Sequence, residues 1–398
     1  MLNLTRLLCG VDQSADALRY GRGAEAPASA SARKPVVVWN ITRRCNLRCL
    51  HCYSNSEARS YPGELTWAQS RAVIEDLAEF GIPALLFSGG EPMIHPGFFD
   101  LAALARDSGL RLTLSTNGTL IDAESAERIR DIGFAYVGIS LDGIGETHDY
   151  FRGRTGAFTK AVAAFRHCKE AGQKVGLRLT LSRHTVKDIE AILDFIEAEG
   201  IDRVCFYHLV YSGRGADLAL LRPEETRHAL DTIMDRVERW HRAGLTKEVL
   251  TVDQPADGPY LLDRLERRDS GRADAARELL EWNGGGNHGS GVGLANIDTQ
   301  GDIHPDQFWQ SLTLGNVKRE RFSQVWTESA DPVLRGLRSS PRPVGGRCAG
   351  CRHLAICGGG FRVRAWQRYG DPWAEDPACY LDETEIRPPE GSLSRSLT

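Results

Sequence analysis

Between residues 35 and 208 the chain alternates short apolar, β-branched runs with longer stretches whose apolar residues recur at helical spacing. The alternation predicts strands over 36–41, 84–87, 111–115, 136–141, 175–181 and 203–208, separated by helices over 66–80, 98–107, 123–132, 158–171 and 186–199. Successive βα units predict an α/β protein whose parallel sheet curls into part of a barrel, a partial (β/α)6 TIM-like barrel over 35–215. An open doubly wound sheet has the same local pattern. In either fold the residues just beyond the strands' C-terminal ends line the active site. Residues 216–290 are charged, helical in period and poor in strand signals, which predicts a helical connector or cap over the barrel mouth. A hairpin is expected over 293–304, turning at 298–302, within a small C-terminal module over 291–382. The lead-in over 1–34, with an Ala/Ser-rich stretch at 24–32, reads as partly flexible, and the Pro/Glu/Ser-rich end over 383–398 as disordered.

Composition narrows the function. The 398 residues carry a net charge of −4 and no long basic block, which argues against nucleic acid as a partner. No apolar run is long enough to span a bilayer, and no signal-peptide pattern opens the chain, so a cytoplasmic protein is expected, with no membrane partner. Seven of the ten cysteines fall into two tight groups, Cys45/Cys49/Cys52 and Cys348/Cys351/Cys357/Cys379, while Cys9, Cys168 and Cys205 stand apart. Short gaps of this kind point to metal rather than to disulfide staples.

The first group follows the first predicted strand. Its spacing allows three thiolates to surround one iron-sulfur cube. A zinc site completed by His51, or loose surface thiols, are the alternatives. Cys45-Asn-Leu-Arg-Cys49-Leu-His-Cys52-Tyr53 resembles the CxxxCxxC signature of the radical S-adenosylmethionine (SAM) superfamily. The resemblance implies a 4Fe-4S cluster on Cys45, Cys49 and Cys52 whose fourth iron binds and cleaves SAM. It also implies SAM contacts at Tyr53, at Gly89, Gly90 and Glu91 of a GGEP-like motif, at Ser115 and Asn117, and at Ser140 and Arg152. Taken alone, the glycine pairs are turns and Arg152 is a surface cap.

Cys348, Cys351, Cys357 and Cys379 supply four ligands, enough to close a site. Structural zinc is one alternative; the sequence around them resembles the twitch or SPASM modules of radical SAM enzymes, which implies a second, auxiliary 4Fe-4S cluster. Residues 207–215 and 296–309 resemble the tetrapyrrole-modifying branch, most closely enzymes of heme d1 biosynthesis. That resemblance implies a didecarboxysiroheme-type substrate that loses two propionate side chains through a 5′-deoxyadenosyl radical, and an electron donor such as a ferredoxin or flavodoxin. A carboxylated macrocycle needs cations and apolar walls, and Arg214, Arg178, Phe308 and Trp309 are the candidate substrate contacts. His208, His288 and His304 are more often hydrogen-bonded residues than iron ligands. A peptide-modifying maturase, a related heme-precursor decarboxylase and a non-catalytic metal scaffold remain alternatives.

Overall fold

A computed structural model of the chain describes residues 1–13, 16 and 33–387. The stretch 24–32 and residues 388–398 lie outside the described residues, so the expectations of mobility and disorder there are not addressed. The strands in chain order are β1 (Leu2–Asn3), β2 (Val36–Thr42), β3 (Leu85–Gly89), β4 (Leu112–Thr116), β5 (Tyr136–Ser140), β6 (Val175–Leu181), β7 (Arg203–His208), β8 (Glu248–Val252), β9 (Leu294–Ile297), β10 (Asp302–His304) and β11 (Gly315–Asn316). They form one sheet in the order β1-β8-β7-β6-β5-β4-β3-β2-β9-β10-β11. From β2 to β8 each strand pairs in parallel with the next, and β9 adds in parallel to the other side of β2. This is the α/β partial barrel the βα alternation predicts.

The period of two along each strand explains the layering. Trp39, Phe87, Leu114, Ile139, Leu179 and Phe206 are fully buried against the helices outside. The alternate positions, among them Val38, Ser88, Ser115, Ser140, Arg178 and Tyr207, face the interior cavities. The helices Trp67–Phe80, Phe98–Asp107, Ala123–Ile132, Ala157–Glu170 and Ile189–Ala198 supply the opposing apolar stripes. Capping fixes their ends. Thr66 and Gln69 form a capping box at the start of Trp67–Phe80, and Gly81 ends it at φ 73°.

Three boundaries differ from expectation. Residues 216–290 are not a purely helical cap. The helix Pro223–Arg242 leads into β8, which pairs with β7 and extends the parallel run, and the helices Asp257–Glu266 and Ser270–Asn283 follow. A five-residue strand beside Lys247 and Glu248 is too short and too charged at its edge to stand out as an apolar run. Residues 2–9 are not a loose lead-in: β1 pairs antiparallel with β8, and Leu2, Leu4, Leu7 and Leu8 are buried. The third is the C-terminal end: Glu383–Ile386 form a short helix capped by Asp382, with Ile386 buried, so order extends past residue 382.

The expected hairpin is β9–β10. Asp298 Oδ1 accepts from the Gln300 and Asp302 amides at 2.9 and 2.8 Å and makes the turn. Its pairing with β2 welds this segment to the barrel, and Asn296 Nδ2 donates to the Val38 carbonyl at 2.8 Å. No helix among the described residues is long and apolar enough to cross a membrane.

Candidate active site

The loop after β2 carries Cys45, Cys49 and Cys52, and two backbone segments clamp it. On one side the Gly90 and Glu91 amides donate to the Thr42 and Arg44 carbonyls at 2.7 and 2.9 Å. A Cβ on Gly90 would collide with the Arg44 carbonyl oxygen, so glycine is required for this approach. On the other side the Arg214 amide donates to the Cys52 carbonyl at 3.0 Å, and its guanidinium donates to the Cys49 carbonyl at 2.8 Å and the Ser56 carbonyl at 3.1 Å. Arg214 is therefore committed to the cysteine loop and does not line the cavity. Its candidate role as a substrate contact is corrected accordingly.

Cys45, Leu47 and Cys49 form one buried cluster with Cys52 packed against it, and all three cysteines are free thiols. Burial pushes the Cys45 thiol up to about 12, with Glu91 and the neighbouring cysteines adding to the effect. Burial also raises Cys49, although Arg152 Nη1, 3.7 Å from its sulfur, pulls the other way. Concealed thiols held close together suit a cationic metal centre that would take them as thiolates. Among the described residues no three His, Cys, Asp or Glu side chains converge on one metal ion. A cluster in which each thiolate takes a different iron does not require such a point.

The three cysteines line a cavity of about 160 Å³ at the C-terminal ends of the strands. Tyr53, Gly89, Gly90, Ser115, Asn117, Ser140 and Arg152 line it too, so the strand ends bring these sequence-predicted residues together. Tyr53 turns its hydroxyl inward, donating to Asn40 Oδ1 at 3.0 Å, and burial pushes its phenol up to about 12. Glu91 does not line the cavity. It is buried behind it, accepting from Thr116 Oγ1 and the Asn117 amide, both at 2.8 Å. The predicted cofactor contact is thus a brace between the β3 and β4 ends. Burial raises its carboxyl to about 7 against these hydrogen bonds.

Arg152 ends a short helix, Glu146–Arg152, and its guanidinium pairs with Asp142, which is fully buried. Asp142 Oδ1 also accepts from the Thr180 amide at 2.6 Å. Burial opposes both charges, yet each holds the other ionised: Asp142 sits below its ordinary value and Arg152 above. His51 stacks on Phe151 with centroids 4.5 Å apart, and burial pushes it down to about 4, which keeps it neutral. Asp142 is a residue that motif reading leaves out, although it stands within Ser140-Leu-Asp142-Gly143.

Arg178 and Phe308 also line the cavity. Arg178 lies beside Ser140 and Cys205 in the sheet register, with its guanidinium 4.7 Å from the Tyr207 ring centre. Phe308 packs edge-on to Tyr53 at 5.3 Å. Trp309 is fully buried among Val210, Leu337 and Val363, a packing residue rather than a substrate contact. His208 faces the cavity, and its Nε2 lies 3.0 Å from Asp257 Oδ2. His304 Nδ1 sits 2.8 Å from the Leu312 carbonyl, and His288 bonds the Asn283 carbonyl; neither reaches this cavity.

The second cysteine group lies in the C-terminal module. Cys348, Cys351, Cys357 and Cys379 line one small cavity whose other walls include Leu354, Leu381 and Ile386. All four are free thiols. Burial raises Cys357 well above its ordinary value and Cys379 to about 11, so this donor set has the same concealed character as the first.

The chain matches the Radical SAM superfamily over residues 39–196. A protein of Methanosarcina barkeri (strain Fusaro / DSM 804), Fe-coproporphyrin III synthase, is 47% identical over 399 residues, spanning 97% of this chain and 99% of that protein. The chain belongs to the radical SAM superfamily. The pre-heme d1 synthase of Dinoroseobacter shibae (strain DSM 16493 / NCIMB 14021 / DFL 12) is also 47% identical, over 88% of this chain and 87% of that protein. The crystal structure of Streptococcus suis SuiB bound to S-adenosylmethionine shares the fold with a TM-score of 0.69 at 18% identity, covering 88% of this chain and 78% of that one. A radical SAM enzyme uses SAM and a 4Fe-4S cluster, and the three-thiol cavity at the strand ends suits that pair in donor type and position.

Proposed function

We propose that this radical SAM enzyme acts on an iron tetrapyrrole of the didecarboxysiroheme type, removing two propionate side chains on the route to heme d1. The observation that carries the reading is 47% identity to two proteins, a pre-heme d1 synthase and an Fe-coproporphyrin III synthase, both named for tetrapyrrole products. Cys45, Cys49 and Cys52 hold the SAM-binding cluster, and Cys348, Cys351, Cys357 and Cys379 hold an auxiliary 4Fe-4S cluster. When bound, the first cluster and SAM supply the 5′-deoxyadenosyl radical that takes a hydrogen atom from the substrate. A ferredoxin or flavodoxin in the cytoplasm serves as electron donor.

The chain's own residues divide the remaining work. Gly89 and Gly90 would let backbone approach SAM, and Ser140 and Arg152, which line the same cavity, would hold its carboxylate. Because Asp142 already neutralises Arg152, a SAM carboxylate meets an ion pair and not an isolated cation, which makes Arg152 an organiser of the Cys49 wall as much as an anchor. Among the described residues Arg178 makes no ion pair with a carboxylate, and in this partly buried position it suits a substrate propionate. Phe308 and Tyr207 form the macrocycle's apolar wall. Burial of the cysteines keeps water from the reacting centre.

A second reading, formation of Fe-coproporphyrin III, is favoured by the longer match, 97% of this chain against 88%. Anaerobic incubation with SAM, a strong reductant and didecarboxysiroheme, followed by mass spectrometry, tests both. The proposal expects 5′-deoxyadenosine and a tetrapyrrole lighter by propionate-derived fragments. A product with the mass of Fe-coproporphyrin III would replace it by the second reading, and turnover of a peptide with no tetrapyrrole product would overturn both.

A further inference from the structure

The cysteine-lined cavity and a larger one of about 1130 Å³ among the described residues have Val38, Leu86, Arg178, Tyr207, Asp253 and Gln307 in both their linings. Asp253 follows the last residue of β8, the position from which barrel enzymes present reactive groups. Its backbone is left-handed, φ 66°. Among the described residues only one other non-glycine, Asn55, has a positive φ. Such a conformation is strained for a residue with a side chain and persists only where its surroundings enforce it.

The surroundings here belong to the C-terminal module. Arg364 Nη1 donates to the Asp253 carbonyl at 2.7 Å. The same guanidinium grips Asp376 through Nε at 2.9 Å and Nη2 at 2.8 Å, and Gln254 Oε1 at 3.2 Å, with Arg364 and Asp376 both shut off from solvent. Asp376 and Gln254 also line the cavity of the second cysteine group. The module that gathers Cys348, Cys351, Cys357 and Cys379 therefore also sets the backbone of Asp253.

One oxygen of the side chain has no such support: Asp253 Oδ2 is closed to solvent and has no hydrogen-bond partner, which is unfavourable for a buried polar atom. The acidic groups around it are satisfied: Asp257 holds His208 and Tyr380, and Asp306 holds Ser290 and the Phe308 and Trp309 amides. Burial pushes the Asp253 carboxyl up to about 6 and Asp306 adds to this, against the N-terminal amine, Arg364 and His208. Arg178 lines the same two cavities, a cation without a carboxylate partner among the described residues.

We propose that Asp253 is a catalytic residue that touches the substrate: its carboxyl group, on a residue that lines both cavities, hydrogen-bonds one carboxyl group of the tetrapyrrole through a shared proton, while Arg178 pairs a second. Cation and carboxyl together fix which edge of the macrocycle meets the SAM site. This inference rests on the tetrapyrrole reading above.

The left-handed backbone supplies the test, because glycine adopts it freely and asparagine tolerates it. If Asp253 only occupies the left-handed turn and makes no substrate contact, Asp253→Gly is neutral or stabilising and binds the tetrapyrrole as the parent does. The proposal expects Asp253→Gly and Asp253→Asn to melt no lower than the parent. Both should bind didecarboxysiroheme, read by visible absorbance, about 10- to 100-fold more weakly, the worth of one hydrogen bond to a charged group. Product formed per 5′-deoxyadenosine should fall with it. Parent-like affinity and parent-like product ratio in both variants would overturn the inference and leave the function standing. Loss of fold in both would make the carboxylate structural and overturn it as well. A wild-type enzyme that neither binds nor converts the tetrapyrrole would overturn the function and this inference together.

Discussion

Cys45, Cys49 and Cys52 lie on a single loop whose shape is imposed by neighbouring backbone, chiefly the Gly90–Glu91 and Gly213–Arg214 segments. Cys348, Cys351, Cys357 and Cys379 are gathered over a longer stretch by short helices and by side chains, chiefly the buried Arg364–Asp376 pair. The first site opens on a cavity of about 160 Å³ at the strand ends; the second lines a cavity of about 20 Å³ with mostly apolar walls, Gln254, Arg347 and Asp376 among the exceptions. A backbone cradle leaves one face free for a ligand, whereas a side-chain enclosure with four thiols uses up its coordination. Under the proposed function, the contrast teaches that ligand count and the manner of support go together: three thiols on a cradled loop for chemistry, four in a mostly apolar shell for a closed centre.

Each site contains a buried ion pair, and breaking either should cost about 3–5 kcal/mol because the partner charge stays buried and unpaired. Asp142→Asn strands Arg152 beside Cys49, and Asp376→Asn strands Arg364. Denaturant unfolding measures the loss. The contrast sharpens if Asp142→Asn perturbs SAM binding while Asp376→Asn disturbs only the visible spectrum of the proposed auxiliary cluster. It breaks if Asp376→Asn weakens SAM binding as much as Asp142→Asn does.

A smaller effect is expected at Arg214. Arg214→Ala removes two charge-assisted hydrogen bonds to the cysteine loop, worth about 1.5–3 kcal/mol each at most. It should lower iron retention and SAM cleavage while leaving tetrapyrrole affinity unchanged. A variant with full iron content and weakened tetrapyrrole binding would return Arg214 to the substrate side.

The same contrast explains what was legible in the sequence. The six strands over 36–208 and the motif at each strand end are local features, so their juxtaposition follows from the βα alternation alone. Tyr53, Asn117, Ser140 and Arg152 reach one cavity for that reason. Strand β8 was hidden because a short run flanked by charged residues carries little periodicity, and with it went the packing of residues 2–9. Arg214 and Trp309 were misplaced because sequence gives a residue's type and not its direction. Arg214 turns back to three backbone carbonyls if its own amide's bond to Cys52 is counted, and Trp309 turns into the core. Asp253 had no motif at all. Its interest comes from a backbone dihedral and an unpaired oxygen, both consequences of a contact 111 residues away in sequence.

The central claim is that one three-thiol site is open to SAM and one four-thiol site is closed. Electron paramagnetic resonance of the anaerobically reconstituted, reduced protein tests it most directly, comparing wild type with the Cys45→Ala/Cys49→Ala/Cys52→Ala variant before and after SAM is added. The account predicts about eight irons per chain in the wild type and about four in the variant. It also predicts that SAM changes the wild-type spectrum and leaves the variant's unchanged. A variant that holds no cluster, or whose remaining cluster responds to SAM, would contradict it.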